Sequence, residues 1–546
     1  MALLLTVGAL LSAGAALAQG VETPIYGDIL RLGNRGDPPA GFDTMRTSSI
    51  ALHHAAGPIF GPGNLVMRCR ENMYLACPYL AQSWWPSGDF TEWTFAIRRG
   101  ITWHDGEPFT AEDAKFWLDL AYFGYAVGDQ TRAPAYFAGN LGDIVSVEVQ
   151  GNLLIVKLAE PTVRFPETLL DPRMKIAHPE HLMRPLLDAG QLSVSPLDIG
   201  LVGVGPFKLE SWEPGNLLQV RRYDAYFERD ERGRQLPYLD GIDFYMTPDA
   251  LAMNLAVRTG RLDGGARGEG HYLTTEQEQL FRETMGDAIN LTEIGGGFFR
   301  LAFNVLREGP WQDVRVRRAI MLWIDNDAAI AGALGGQAYV GVDEWPGRQS
   351  GAFPFGLWPL FDPERLSANR AEAARLMAEA GYADGFTMNY LCRGIHLLRC
   401  EFLQDQLGGL GITLELAIVD EAEWNRLRVT AEFDTQSGAN FSGTVPEATE
   451  AVYGRFSANP DSYARHEDFA VDLFYSRMRT AVQPAQRQAV WRQFERYMLD
   501  EMVYVIPIAA TFQVTPYHSY VKGLVIPVED GHAHTDFATV WLDRAQ

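Results

Sequence analysis

The sequence predicts an α/β protein of several domains, with a β-rich first half and a mixed α/β second half. Its 546 residues exceed the size at which one hydrophobic core stops growing, about 250 to 300 residues. Strand patterns of period two dominate as far as Phe244, whereas helix and strand alternate after Arg300. The run Gly295–Gly297 falls where the pattern changes, and it can be either a hinge or a loop before a strand.

Alternation and turn residues predict the elements of the first half. YGDILRL is typical of a strand, and it enters a Pro/Gly-rich loop that places Asp37 to Asp43 on a turn-like surface. EWTFAIRRGITW alternates at period two, and DIVSVEVQGNLLIVKLAE predicts a hairpin that turns at Gly151-Asn152. One helix, residues 111–123, is expected between these strands.

The stretch ITWHDGEPFTAEDAKFW concentrates one histidine and several carboxylates, so a metal or acid–base site has to be considered. Thr110 and Asp113 have the spacing of a capping box, and acidic residues suit the positive end of a helix dipole. Asp-Gly and Glu-Pro are turn signals. We therefore predict a structural role for this stretch.

The second half shows the βαβ rhythm of a parallel or mixed sheet. LAFNV, FTMNYLC and ITLELAIV predict strands. QDVRVRRAIMLWID, CEFLQDQLGGLG and QPAQRQAVWRQFERYMLDE predict helices, and SANRAEAARLMAEAGYADG predicts another that begins at a Ser/Asn cap and ends at Gly381.

The net charge argues against nucleic acid as a partner, and the N-terminus indicates an exported protein. A formal charge of −23 repels phosphate backbones and anionic membranes, so nucleic acid is not expected as a partner. Residues 1–18 form an apolar run that ends in Ala16-Leu17-Ala18, which predicts a signal peptide and a periplasmic location. No later segment has about 18 uninterrupted apolar residues.

The four cysteines form two equally spaced pairs, Cys69/Cys77 and Cys392/Cys400. In an oxidising compartment they predict two short disulfides, one across a hairpin and one from a strand end to the next helix. A four-thiolate zinc site is possible on count alone, but its ligands normally come as C-x2-4-C pairs.

Catalytic signatures are missing from the sequence. It contains neither G-x-S-x-G nor H-E-x-x-H nor a phosphate-binding loop, so a secreted hydrolase has no motif to support it. The pairs His53-His54 and His532/His534 are interpreted as solvated loop residues rather than metal ligands. No catalytic residue, metal or cofactor is predicted.

Several ordered motifs resemble the family 5 bacterial extracellular solute-binding proteins, the peptide/nickel-type periplasmic components of ABC importers. They are LAQSWWPSGDFTEWTFAIRRGITWHDGEPFTAEDAKFW, VGVGPFKLESWEPG, RRYDAYF, LPYLDGIDF, RTGRLDGG, FNVLREGPWQDVRVRRAIMLWIDND, AEAGYADGF and YVIPI. The likeness extends over nearly the whole chain after the leader.

This resemblance implies an α/β, two-lobed periplasmic-binding-protein (clam-shell) fold with mixed sheets and an additional β-rich domain. Lobe I would comprise residues 26–65, 202–297 and 513–546, the additional domain 66–201, and lobe II 298–512. Hinges are expected near Leu201–Gly203, Gly295–Gly297 and Phe512–Val514. The protein would be a monomer that closes on a peptide or similarly sized solute and delivers it to the membrane permease subunits of an ABC importer.

The resemblance also implies where the solute binds. The early loop of lobe I offers Phe42, Asp43 and Arg46, and the loops of lobe II offer a set of aromatic, acidic and amide side chains. The Asp motif that anchors a peptide amine in the dipeptide-binding branch is absent, so a non-peptide solute (an oligosaccharide, an opine-like conjugate or a metal chelate) is the alternative. The predicted lobe II residues are Trp345, Trp358, Trp424, Asp434, Asn440, Phe441 and Glu447.

Overall fold

The structure is a computed structural model that describes residues 23–47, 49–71, 75–171, 173–265, 273–340, 362–436, 464–525 and 536–544. Its strands are, in chain order, β1 (Ile29–Asn34), β2 (Val66–Arg68), β3 (Ala76–Pro78), β4 (Ala81–Pro86), β5 (Glu92–Ile97), β6 (Tyr125–Val127), β7 (Gln130–Arg132), β8 (Ile144–Gln150), β9 (Leu153–Leu158), β10 (Phe207–Glu213), β11 (Leu217–Arg222), β12 (Gly241–Met246), β13 (Ile289–Phe303), β14 (Ala338–Val340), β15 (Phe386–Arg393), β16 (Ile412–Val419), β17 (Thr435–Gln436), β18 (Val505–His518), β19 (Val521–Lys522) and β20 (Trp541–Leu542).

The helices cover both halves of the chain. They are α1 (Ile50–Phe60), α2 (Ala111–Tyr122), α3 (Phe165–Thr168), α4 (Glu180–Asp188), α5 (Ala250–Arg258), α6 (Thr275–Met285), α7 (Val314–Trp323), α8 (Asn326–Ala328), α9 (Leu366–Glu379), α10 (Leu397–Gly408), α11 (Glu421–Val429), α12 (Phe469–Thr480) and α13 (Pro484–Arg496). Within the described ranges, no helix is both long and apolar enough to span a bilayer.

A four-stranded mixed sheet, in the order β1-β12-β11-β10, forms the centre of the part that we call lobe I. Strand β1 is parallel to β12, and the other pairs are antiparallel. Apolar side chains of α1 and of the sheet, among them Leu32, Ile59 and Phe244, pack into one buried core. The histidines of α1 are part of this interior, because His53 is 1% exposed and His54 3%. Their interpretation as solvated loop residues was wrong, since a helix carries them inward.

The additional domain contains the antiparallel sheet β4-β5-β9-β8 and helix α2. The predicted hairpin is confirmed, since β8 and β9 pair on either side of Gly151-Asn152. The predicted capping box is also confirmed: the Asp113 N–H donates to Thr110 Oγ1 (3.4 Å), and the Thr110 N–H donates to Asp113 Oδ2 (2.9 Å). The core of this domain also includes Tyr223 and Trp541, which belong to segments assigned to lobe I. The additional domain and lobe I therefore pack as one body.

A six-stranded sheet, in the order β14-β18-β13-β17-β15-β16, forms the centre of lobe II. Strands β15 and β16 are parallel and joined by α10, as the βαβ rhythm predicted. Helix α9 begins at Leu366, so Ser367 is inside the helix rather than its cap. The cap-like contact is made one turn earlier, where Asp362 accepts from the Glu364 N–H.

Strands β13 and β18 run antiparallel as one continuous pair and connect lobe I with lobe II. Their lobe I ends adjoin Gly264 and Leu273, and their lobe II ends adjoin β14 and β17. Gly295–Gly297 is inside β13, at a break in the pairing register. The alternative of a loop before a strand was therefore wrong for this glycine run.

Both predicted disulfides are present. Cys69 and Cys77 link across the β2–β3 hairpin with a Cα–Cα distance of 5.0 Å, and Cys392 of β15 links to Cys400 of α10 with a distance of 6.2 Å. Every cysteine of the chain is thus paired. A four-thiolate zinc site is excluded, because the two pairs are covalently separate.

Candidate functional site

The strand directions locate a cleft between the lobes. Strand β13 runs from lobe I into lobe II, and β17 is antiparallel to it, so β17 and its parallel neighbour β15 point back toward lobe I. In lobe I, Leu32 of β1 bridges Gly264 in parallel, and Gly264 bridges Tyr517 of β18 in antiparallel fashion. Strand β1 therefore points toward lobe II. Ligands of open α/β sheets bind outside the carboxyl ends of the strands, and here those ends face each other.

The lobe I side of the cleft is the loop that follows Asn34. Ala40, Gly41 and Phe42 all have positive φ values, of 55°, 59° and 62°. This backbone is costly for residues that carry a Cβ atom, and it persists only where the surroundings impose it. Phe42 supplies one such constraint, since it is fully buried and its ring centroid is 5.3 Å from that of Trp212.

Asp43 supplies the second constraint on this loop. Its carboxylate is fully buried, with Oδ2 2.5 Å from an Arg132 guanidinium nitrogen and Oδ1 3.1 Å from His178 Nε2. Burial alone would raise the pKa of Asp43, but His178 and Arg132 outweigh it and hold that pKa well below its usual range. The prediction that residues Asp37 to Asp43 lie on a turn at the surface was wrong for Phe42 and Asp43. Both are buried, because they contact partners that are distant in the sequence.

Arg46 is the exposed member of the predicted lobe I set. Its Nε is 3.2 Å from Asp43 Oδ2, and its guanidinium also donates to the Leu192 carbonyl at 3.1 Å. The side chain remains 43% exposed. Arg46 therefore has donors within reach of solvent beside the ion pair that fixes the loop.

On the lobe II side, Trp424 of α11 is held between two guanidiniums. Those of Arg393 and Arg428 lie 5.2 and 5.4 Å from its ring centroid, and the indole is 1% exposed. Arg393 is the last residue of β15, at the edge that faces lobe I. Sequence reasoning selected Trp424 but missed Arg393, although its position at a strand end was available as a signal.

Asp434 begins the turn into β17, and both of its carboxylate oxygens have protein partners. Oδ1 pairs with Arg307 Nε at 3.0 Å, and Oδ2 accepts from the backbone and side-chain amides of Asn389 at 3.1 and 3.0 Å. Gln436, which sequence reasoning also missed, ends β17 and is fully buried. The other predicted residues lie outside the described part of the chain: Trp345, Trp358, Asn440, Phe441 and Glu447.

His104, the histidine of the acidic stretch, is a structural anchor. Its Nε2 donates to the Gly205 carbonyl (3.0 Å), and its Nδ1 accepts from the Gly203 N–H (3.2 Å). Burial lowers the pKa of His104 to about 4, so the ring is neutral near pH 7. This anchoring argues against a hinge at Leu201–Gly203. Among the described residues, no group of three or more His, Cys, Asp and Glu side chains could hold a metal ion.

Two sheets whose carboxyl edges face each other across a pair of connecting strands define a two-lobed binding protein. Over 95% of this chain and 99% of the other, the fold matches the binding protein AgaA of A. tumefaciens R10, solved in complex with agropinic acid, with a TM-score of 0.75 and 21% identity. Residues 77–463 match the bacterial extracellular solute-binding proteins, family 5. The chain belongs to this family, whose members are solute-binding proteins.

Curated relatives cover the chain in part. A protein of Brucella ovis, provisionally named as an ABC transporter peptide-binding protein, is 30% identical over 261 residues, which is 47% of this chain and 45% of that protein. The dipeptide-binding protein of Escherichia coli is 25% identical over 389 residues, 68% of this chain and 67% of that protein. The chain thus spans about half the length of the first of these relatives.

Proposed function

We propose that this protein captures a peptide or a solute of similar size between its lobes and delivers it to the permease subunits of an ABC importer. It acts as an exported, periplasmic monomer, with residues 1–18 as the signal peptide, and it leaves the solute chemically unchanged. The proposed division is residues 26–65, 202–297 and 513–546 for lobe I, 66–201 for the additional domain, and 298–512 for lobe II.

The observation that carries this proposal is the pair β13/β18 between two separate cores. Phe299 and Ile508 belong to the lobe II core, whereas Ile289 and Val514 belong to a lobe I cluster. The register break at Gly295/Gly297 lies between them. A few residues in such strands can absorb the change in φ and ψ that closure requires. A solute that contacts both lobes then shifts the equilibrium toward the closed state by its difference in affinity.

A non-peptide solute is the second candidate within the same class. It is favoured by the agropinic acid bound to the A. tumefaciens protein and by the absence of the amine-anchoring Asp motif from the sequence. The proposed site comprises Phe42, Asp43, Arg46, Trp424 and Asp434, together with Trp345, Trp358, Asn440, Phe441 and Glu447, which lie outside the described residues. Of the first five, Arg46 is exposed and would contact the solute directly, whereas the other four are buried and would hold the surrounding loops in place.

A thermal-shift panel with small-angle X-ray scattering tests the proposal. The purified protein is mixed with a dipeptide, a tripeptide, an oligosaccharide and an iron–EDTA chelate. A bound solute at 100 times its Kd adds about 2.7 kcal/mol of stability, so the melting temperature of a chain of this length rises by about two degrees. The radius of gyration falls with the same solute, which mass spectrometry recovers unaltered. Turnover of a solute without any compaction would contradict the proposal.

A further inference from the structure

The carboxyl end of helix α12 in lobe II reaches across to the additional domain. Arg479, in its last turn, places one guanidinium nitrogen 3.2 Å from Glu160 Oε2 and 3.5 Å from Asp143 Oδ2. The other terminal nitrogen donates to Thr162 Oγ1 at 3.0 Å. The Val163 N–H in turn donates to the Arg479 carbonyl at 3.1 Å. These contacts do not involve β13 or β18, the strands that connect the lobes.

Both sides of this contact are anchored in their own cores. On the lobe II side, Val471 and Met478 of α12 are buried with Phe494 and Tyr504. On the other side, the Thr162 N–H donates to the Phe90 carbonyl, and Trp93 Nε1 donates to the Thr162 carbonyl, both at 3.0 Å. Because the additional domain packs with lobe I, the Arg479 contact joins the two bodies that hinge motion would separate.

The contact is stronger than a surface ion pair. Glu160 is 62% exposed, so its pairing with Arg479 is largely screened by water. The Arg479 side chain itself is 5% exposed, and hydrogen bonds from a buried charged donor contribute more than neutral or exposed ones. A cation also suits the negative end of the α12 dipole. The hydrogen bonds to the Thr162–Val163 segment therefore carry most of the interaction.

We propose that Arg479 and the Thr162–Val163 segment form an interlobe latch that stabilises the closed arrangement, so that the ligand-free protein is a mixture of closed and open forms and a bound solute increases the closed share. This role gives the additional domain a part in setting the closure equilibrium. The inference rests on the proposed hinge closure but not on the identity of the solute. Removing the Arg479 side chain lowers the closed-to-open ratio about tenfold, which corresponds to about 1.4 kcal/mol.

Small-angle scattering of the ligand-free full chain tests the latch. The variants are Arg479→Ala, which removes the guanidinium, and Thr162→Val, which removes its hydroxyl partner from the other body. Arg477→Ala is the matched control, because Arg477 is exposed in the same turn of α12. We expect a larger radius of gyration for the first two variants, and the wild-type value for the control.

The outcomes separate the latch from the proposed function. A larger radius in Arg479→Ala and Thr162→Val supports the latch even if no solute in the panel binds. If both variants are folded by circular dichroism and keep the wild-type radius, the latch is wrong, whatever the panel shows. If Arg479→Ala does not fold, Thr162→Val decides alone, since its change leaves the lobe II core intact.

Discussion

The substitution Asp43→Asn tests whether the early loop of lobe I is fixed by an ion pair. In the structure Asp43 is fully buried between Arg132 and His178, and its Oδ1 also accepts from the Met45 N–H at 3.0 Å. An asparagine keeps the shape of the side chain but removes the charge. The guanidinium of Arg132, which is 3% exposed, is then left without its counter-charge.

The two arginines around this carboxylate set the expected magnitudes. Breaking a buried ion pair by removing one partner costs about 3–5 kcal/mol, which is the destabilisation that we expect for Asp43→Asn. Arg46, 43% exposed, contacts the same carboxylate, and such an exposed pair contributes at most about 1 kcal/mol. Arg46→Ala is therefore the matched control, with a small effect on the free energy of unfolding.

Urea unfolding followed by tryptophan fluorescence measures both variants at pH 7. Because the pKa of folded Asp43 is depressed, its stabilising effect is present above the unfolded pKa of about 3.9 and is lost as the pH falls below it. The difference between wild type and Asp43→Asn should shrink there. The ion-pair explanation fails if Asp43→Asn is as stable as wild type at pH 7 and instead weakens solute binding.

Three further predictions concern stability. The pKa of His104 is about 4 in the folded protein and about 6.5 in the unfolded chain, so the free energy of unfolding falls by up to about 3 kcal/mol between pH 6.5 and pH 4. His104→Gln should flatten this pH dependence in urea titrations. Gly205→Ala places a Cβ 2.5 Å from the Pro58 carbonyl oxygen and should cost about 1–3 kcal/mol, whereas Gly88→Ala, in open space, should leave the melting temperature unchanged. Cys392→Ala with Cys400→Ala, which avoids placing two hydroxyls in a fully buried site, opens a short loop and should cost about 3 kcal/mol by calorimetry; an unchanged melting temperature would mean that this disulfide does not constrain the chain.

Local patterns in the sequence were sufficient for many elements. Thr110 and Asp113 form the predicted cap because both hydrogen bonds are made within one turn. The strand ITLELAIV matches β16 over all its residues, since its apolar positions alternate and a helix precedes it. The disulfide pairings followed from short spacing alone. In each case the contacts that determine the structure are close along the chain.

The remaining features depend on contacts between distant residues. Asp43 is buried because its partners Arg132 and His178 come 89 and 135 residues later, which no local pattern can indicate. Gly295–Gly297 lies in a strand although glycine disfavours strands, because β18 supplies a pairing partner more than 200 residues away. The lobe II loops that are proposed to contact the solute lack the amine-anchoring Asp motif, so the resemblance predicted their place and not their chemistry.

The predicted carboxylates bear on whether a peptide amine can be recognised. An ammonium group in a closed cleft needs a counter-charge, yet Asp43 is paired with Arg132 and Asp434 with Arg307. Only Glu447, outside the described residues, remains from the predicted set. We take a peptide that binds in the thermal-shift panel and acetylate its amine. If both ion pairs persist with solute bound and Glu447 provides no anchor, acetylation should change the Kd by less than about threefold, or about 0.7 kcal/mol. Titration calorimetry with the free and acetylated peptides measures this, and Glu447→Gln is the companion variant. A loss of a hundredfold that Glu447→Gln reproduces would establish Glu447 as the amine anchor and return the protein to the dipeptide-binding pattern.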